Sequence, residues 1–264
     1  MNTVTSADGT TIAYERHGSG PAVIFVEGAM CVRGSKADLA GLLESRFTVY
    51  RYDRRGRGDS GDSPDTMADP VGREVADLAA VIRQAGGSAC LYGHSSGAAL
   101  AMEAALRLDG AVTRLAMYEA PYDDDPANWA RARQYMDELA KTLAGGRPGD
   151  AVALFMAYVG MPAEQVAGMR RSQAWPGFEA IGPTLAYDHI GLLGERHEVP
   201  KEKAARVAVP TLVVSGDAGM PFMPVTARTL SQAIPHARLR ILPGETHSVR
   251  PEAIAPVLTE FFAG

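Results

Sequence analysis

The stretch Ala89–Leu100, ACLYGHSSGAAL, constrains the chain more than any other. A short apolar run (Ala89, Cys90, Leu91, Tyr92), of the kind that forms a buried strand, meets Gly93-His94-Ser95-Ser96-Gly97 and continues in small, helix-forming residues. The order is strand, sharp turn, helix, with a serine at the apex. A G-x-S-x-G turn holds its central residue in a strained backbone conformation, with glycines where a Cβ would strike neighbouring strands. The strain lifts the serine hydroxyl above the sheet, beside the free N–H groups of a helix N-terminus that can stabilise an oxyanion. Ser95 is therefore a candidate nucleophile.

The rest of the chain supplies the strands and helices that such a turn requires. Residues 3–17 read as two strands joined at Asp8-Gly9, a hairpin signal. The run 21–26 is continuously apolar, as in a strand covered on both faces, and ends in the loop Glu27-Gly28-Ala29-Met30. A short helix over 36–45, a strand over 47–52 and the segment DRRGRGDS (53–60) follow. Val71, Val75, Leu78 and Ile82 give 69–85 helical periodicity, which Gly86-Gly87 stops. After the helix at 97–109 comes a strand over 112–118. The alternation then lapses for some eighty residues (122–203), where helical patterns rich in Ala, Met and aromatics are interrupted by glycine and proline. Strand patterns return at 210–215 and 238–242, and a final helix covers 251–262. The pattern predicts an α/β fold: a mostly parallel central sheet with helices on both faces. Residues 1–121 and 204–264 form its core, and 122–203 a helical cap inserted in it.

Composition narrows the function. A net charge of −5 with no basic stripe argues against nucleic acid and against anionic membrane surfaces as partners. No segment approaches the ~20 apolar residues of a membrane span, and the first residues lack a signal-peptide pattern. Two cysteines, Cys31 and Cys90, make no disulfide framework, in keeping with a cytoplasmic location. Neither a metal-ligand spacing nor a phosphate or dinucleotide loop is present, so no cofactor is expected.

Four features together, the apolar strand and Gly loop at 22–30, DRRGRGDS at 53–60, GHSSG at 93–97 and ETHSV at 245–249, resemble the α/β-hydrolase fold family over nearly the whole chain. The resemblance implies a nucleophile, an acid and a late histidine in that chain order. Ser95 matches the nucleophile, and His247, in the turn after the last strand, matches the general base. The other histidines, His17, His94, His189, His197 and His236, fall to the elbow, loops or cap, where structural or solvated roles are expected. The resemblance also implies an oxyanion hole from the backbone N–H groups of Ala29 and Ser96. In the oxyanion loop, Glu27 stands where relatives have histidine. It serves either to hold the loop by hydrogen bonds or as a second carboxylate near the substrate whose burial raises its pKa.

The acid has two candidate positions. Relatives usually place it three residues beyond the glycine that ends the strand at 211–215, and here that position is Gly219, with Asp217 two residues early. Some haloalkane-dehalogenase-like members take it instead from the end of the strand after the nucleophile helix, which is Glu119 here. A carboxylate at the mouth of an apolar strand is costly to bury without a partner, and a histidine N–H would satisfy it. Glu119 is preferred, with Asp217 as the alternative. DRRGRGDS is assigned a structural role. Glu27, Gly28, Met30, Trp175 and Tyr187 are expected to line the substrate pocket. Most other cap aromatics and methionines, Trp129, Phe155, Met156, Tyr158, Met161 and Phe178 among them, are divided between cap core and pocket wall.

The resulting expectation is a serine hydrolase acting on an ester, lactone or thioester of a small, mostly apolar molecule through an acyl-enzyme. Two other readings share the fold: a tailoring enzyme for C–C cleavage, cyclisation or elimination, favoured by Glu27 and the empty position at Gly219, and a small-ligand receptor.

Overall fold

The computed structural model describes residues 1–264. Eight strands, β1 (Asn2–Thr5), β2 (Thr11–Gly18), β3 (Ala22–Val26), β4 (Thr48–Tyr52), β5 (Ala89–His94), β6 (Val112–Tyr118), β7 (Thr211–Gly216) and β8 (Ala237–Leu242), form one sheet in the order β1-β2-β4-β3-β5-β6-β7-β8. The pairs β1–β2 and β2–β4 are antiparallel, and every pair from β4–β3 to β7–β8 is parallel. The chain leaves β3 for β4 on one side and returns as β5 on the other. The ends of β3 and β5 therefore flank the point where strand order reverses, the usual place for a crevice in an open α/β sheet.

Strand alternation divides the core in two. Ile24, Val26, Leu91, Leu115, Met117 and Val213 face the helices α2 (Pro70–Gln84), α3 (Ser96–Arg107) and α9 (Phe222–Ala233). Val23, Phe25, Tyr92, Ala116, Leu212 and Val214 face α1 (Ala37–Leu43) and α10 (Pro251–Ala263). Because both faces are covered, the central strands read as unbroken apolar runs. Asp69 caps α2, accepting from the Gly72 N–H at 3.0 Å, with Pro70 in the first turn where its missing N–H costs nothing. The helix α9 was not announced by the sequence patterns. It opens on Pro221-Phe-Met-Pro224, and proline is tolerated there because first-turn N–H groups have no intrahelical acceptor.

Between β6 and β7 the chain runs through α4 (Pro126–Ala144), α5 (Pro148–Tyr158), α6 (Ala163–Arg170), α7 (Trp175–Ile181), a 3₁₀ turn (Gly182–Thr184), a π-helical turn (Tyr187–Leu192) and α8 (Lys201–Ala204). The first four of these helices and the turns that follow them share a small core of their own, including Tyr135, Leu139, Val152, Met156, Trp175 and Leu185.

DRRGRGDS joins this segment to the sheet. Arg54, Arg55 and Arg57 are all essentially inaccessible to solvent. Arg54 forks onto Glu74 (2.7 and 2.6 Å) and donates to Asp188 Oδ1 (2.7 Å) and to the Glu27 carbonyl (3.1 Å). Arg57 donates to Asp188 Oδ2 (2.6 Å), the Gly28 carbonyl (2.6 Å) and Thr184 Oγ1 (3.1 Å). Burial works to raise the Asp188 carboxyl, but the two guanidiniums hold it below its ordinary range. One network thus ties the π-helical turn, the DRRGRGDS loop and the loop after β3 together.

Candidate active site

The turn after β5 has the geometry its sequence requires. Ser95 sits at φ 57°, ψ −129°, outside the regions L-residues normally occupy. A Cβ on Gly93 would lie 2.5 Å from Ala98 Cα, and one on Gly97 would strike the Val26 carbonyl oxygen. The strained apex is held by the Ser95 N–H bond to the Tyr118 carbonyl (2.9 Å) and by the Ala98 N–H bond to the Ser95 carbonyl (2.8 Å). Ser96 is the first residue of α3, so its N–H has no intrahelical acceptor. The Ala29 N–H donates to no protein group. Both residues, with Gly28, Ser95 and His247, line one cavity of about 490 Å³.

His247 Nδ1 lies 2.7 Å from Glu119 Oε2. The other Glu119 oxygen accepts from the Gly216 N–H (2.9 Å) and the Ser215 hydroxyl (3.1 Å), so this 3% exposed side chain has three donors. Glu119 itself has φ 47°, and its N–H donates to the Val214 carbonyl at 3.0 Å. A second set of contacts fixes the histidine's backbone. His94 Nε2 is 2.9 Å from the His247 carbonyl, and the Tyr118 hydroxyl donates to the Thr246 carbonyl at 2.5 Å. Burial drives the His94 pKa well below its ordinary value, so the ring is neutral there. The other candidate acid, Asp217, accepts the Gly244 N–H at 2.7 Å on the exposed rim of the turn before His247 and makes no contact with the imidazole.

Glu27 behaves differently. It is 2% exposed and neither carboxyl oxygen has a hydrogen-bond partner. Burial raises its pKa to about 7, an effect that Lys36 and Arg57 offset only in part. Its carbonyl, not its side chain, holds the loop through Arg54. The side chain does not line the cavity.

The cavity wall contributed by the segment between β6 and β7 departs from expectation. Trp129, Phe155 and Tyr158 line it, but Met30, Trp175 and Tyr187 do not. Trp175 and Met30 pack in the small core of that segment, with Arg170 over the indole ring at 5.5 Å. The Tyr187 hydroxyl is spent on Asp62 Oδ2 at 2.5 Å. Sequence reading also missed polar members of the wall: Asp123, Asn128, Arg131, His189, Arg196 and His197. His189 and His197, assigned above to structural or solvated positions, are buried against the cavity. His197 bridges the Tyr158 hydroxyl (3.3 Å) and the His189 carbonyl (3.2 Å). Neither ring nitrogen of His189 has a partner, and burial lowers its pKa to about 3, so the ring is neutral. The one sequence signal for this wall was the clustering of His, Arg and aromatic residues in a segment without strands.

No helix is long and apolar enough to cross a membrane. Residues 17–257 match the model of the α/β hydrolase family. The solved structure of an α/β hydrolase from Sphaerobacter thermophilus is 47% identical over 99% of this chain and 100% of its own, with a TM-score of 0.86. A thermophilic esterase from Thermogutta terrifontis (19% identity, 99% and 97% coverage, TM-score 0.73) and an enol-lactonase from Burkholderia xenovorans (20%, 100% and 100%, TM-score 0.71) share the fold. Sheet order, strained serine turn and family match agree: the chain belongs to the α/β hydrolase family.

Proposed function

We propose that the protein is a serine hydrolase of carboxylic esters, lactones or thioesters, with Ser95 as nucleophile, His247 as general base and Glu119 as the acid that orients it. The observation that carries this reading is the 2.7 Å contact between His247 Nδ1 and Glu119, made where Ser95 opens into the same cavity. With Nδ1 engaged, Nε2 is the nitrogen left to take the Ser95 proton as Oγ attacks the acyl carbon. The tetrahedral oxyanion is stabilised by the Ala29 and Ser96 N–H groups. Collapse expels the alcohol or thiol, which takes the proton from His247, and a water deprotonated by His247 then releases the acid. Residues 122–203 act as a cap over a core made of 1–121 and 204–264.

Non-hydrolytic chemistry through Glu27 has no observation in its favour, since that side chain is sealed from the cavity. The test is labelling with a fluorophosphonate, read by intact mass and peptide mapping. Rapid labelling at Ser95, lost in Ser95→Ala and strongly slowed in Glu119→Gln but not in Asp217→Asn, is the expected result. A folded protein that binds small ligands yet takes no label would overturn the acyl-enzyme reading.

A further inference from the structure

The fixed charges facing the cavity run against those of the molecule as a whole. The chain carries a net charge of −5, yet three cations, Lys36, Arg131 and Arg196, line the cavity against one carboxylate, Asp123. Asp123 is already occupied: Oδ1 accepts the Asp125 N–H at 2.9 Å and Oδ2 the Asn128 side-chain amide at 2.8 Å. None of the three cations is paired with it. Lys36 forms no salt bridge and no side-chain hydrogen bond, and Arg131 donates only to the Tyr158 carbonyl. Arg196 reaches Glu198 only at 3.8 Å, with both side chains about half exposed.

Aromatic rings hold the two arginines at this wall. Arg131 lies over the Tyr158 ring at 5.0 Å and Arg196 over Trp129 at 5.2 Å, and both rings line the cavity. The His189 ring lies in the same wall but has both nitrogens sealed from the cavity, with Tyr135 edge-on at 5.1 Å and Phe155 at 5.3 Å, so the charges rather than this imidazole are what the cavity presents. The chemistry that complements an excess of cations in a ligand cavity is an anion on the ligand.

We propose that the substrate carries a carboxylate remote from its scissile carbonyl, received by the Lys36, Arg131 and Arg196 charges. This rests on the ester-hydrolysis reading above and departs from the expectation of a mostly apolar substrate. Cations at a cavity mouth raise the local concentration of an anionic substrate and its capture rate, an effect that salt weakens.

The experiment compares two matched pairs of esters: p-nitrophenyl hydrogen glutarate with p-nitrophenyl valerate, and 4-carboxyphenyl acetate with phenyl acetate. The expected result is a kcat/KM ratio of anionic to neutral ester at least about tenfold in favour of the anion in one pair, falling with added salt. Each of Lys36→Met, Arg131→Gln and Arg196→Gln should reduce that ratio by about two- to fivefold, and their combination should abolish it. Lys141→Gln, an exposed cation away from the cavity, should leave the ratio unchanged. Turnover of all four esters through Ser95 without anionic preference would overturn the proposal and leave the hydrolase reading intact. If no ester is turned over, titration of Ser95→Ala with glutarate, read by tryptophan fluorescence, decides separately. Saturable binding lost in the triple variant supports the anion site, and no binding at millimolar glutarate overturns it.

Discussion

Two buried glutamates stand at the ends of the two parallel strands that flank β5, Glu119 after β6 and Glu27 after β3, on either side of the serine turn. They are nearly identical in residue type and exposure, 3% and 2%. Glu119 receives three donors, one of them the imidazole of His247. Glu27 receives none, and its carboxyl is held near neutrality. Burial by itself therefore says nothing about what a carboxyl does. The donors that surround it separate a carboxyl bonded to an imidazole from one left unpartnered behind the loop after β3.

Predictions that break or sharpen this contrast begin with the serine that the two carboxyls flank. Ser95→Ala should lower kcat on an activated ester by about 10⁴–10⁶-fold, and a smaller loss would show that the elbow is not the reacting centre. Glu119→Gln keeps the volume but presents an amide to a histidine N–H. Its expected cost is about 10²–10⁴-fold in kcat, while Asp217→Asn stays within about twofold. Equal losses in the two variants would erase the distinction drawn between them.

The support behind Glu27 is the third test. Asp188→Ala leaves the buried Arg54 and Arg57 guanidiniums without their shared partner. It should destabilise the fold by about 3–5 kcal/mol, measured by urea unfolding. A loss under about 1 kcal/mol would mean that water satisfies the arginines as well as Asp188 does.

The smallest effect concerns Glu27 itself. Its folded pKa, about 7, lies above the ordinary 4.5, so between those values the folded state keeps a proton that the unfolded chain has released. Stability from this group is full below about pH 4.5, declines as pH rises to about 7, and is then flat. The difference in unfolding free energy between wild type and Glu27→Gln should shift by about 1–3 kcal/mol in favour of the variant from pH 5 to pH 8. A pH-independent difference would show that Glu27 has a donor, such as a water bridging it to the unpartnered Tyr92 hydroxyl.

Much of this architecture is readable in local patterns. The apolar runs at 22–26, 89–92 and 115–118 announce covered strands because both sheet faces are buried, and the glycines of GHSSG announce close backbone approach. Glu119 is conspicuous because an acid at the end of RLAMYE has to find a donor. The helix α9 was less legible because it has proline at its N-cap and again in its first turn, usually signs of a loop. The pocket wall was less legible still. Which faces of α4 and α5 meet the cavity depends on how that segment packs, so Trp175 went to a core while His189 and Arg131 went to the cavity.

The sequence by itself determined the α/β class, the parallel centre of the sheet and the strained serine between a strand and a helix. These rest on interactions within a few residues and on hydrophobic periodicity. Tertiary structure alone decided that Glu119 meets an imidazole 128 residues away and that Arg54 and Arg57 share an aspartate more than 130 residues distant. It also decided that three cations of an acidic chain face one cavity beside a single carboxylate. Such pairings depend on where long connections return, and local propensities carry no record of that.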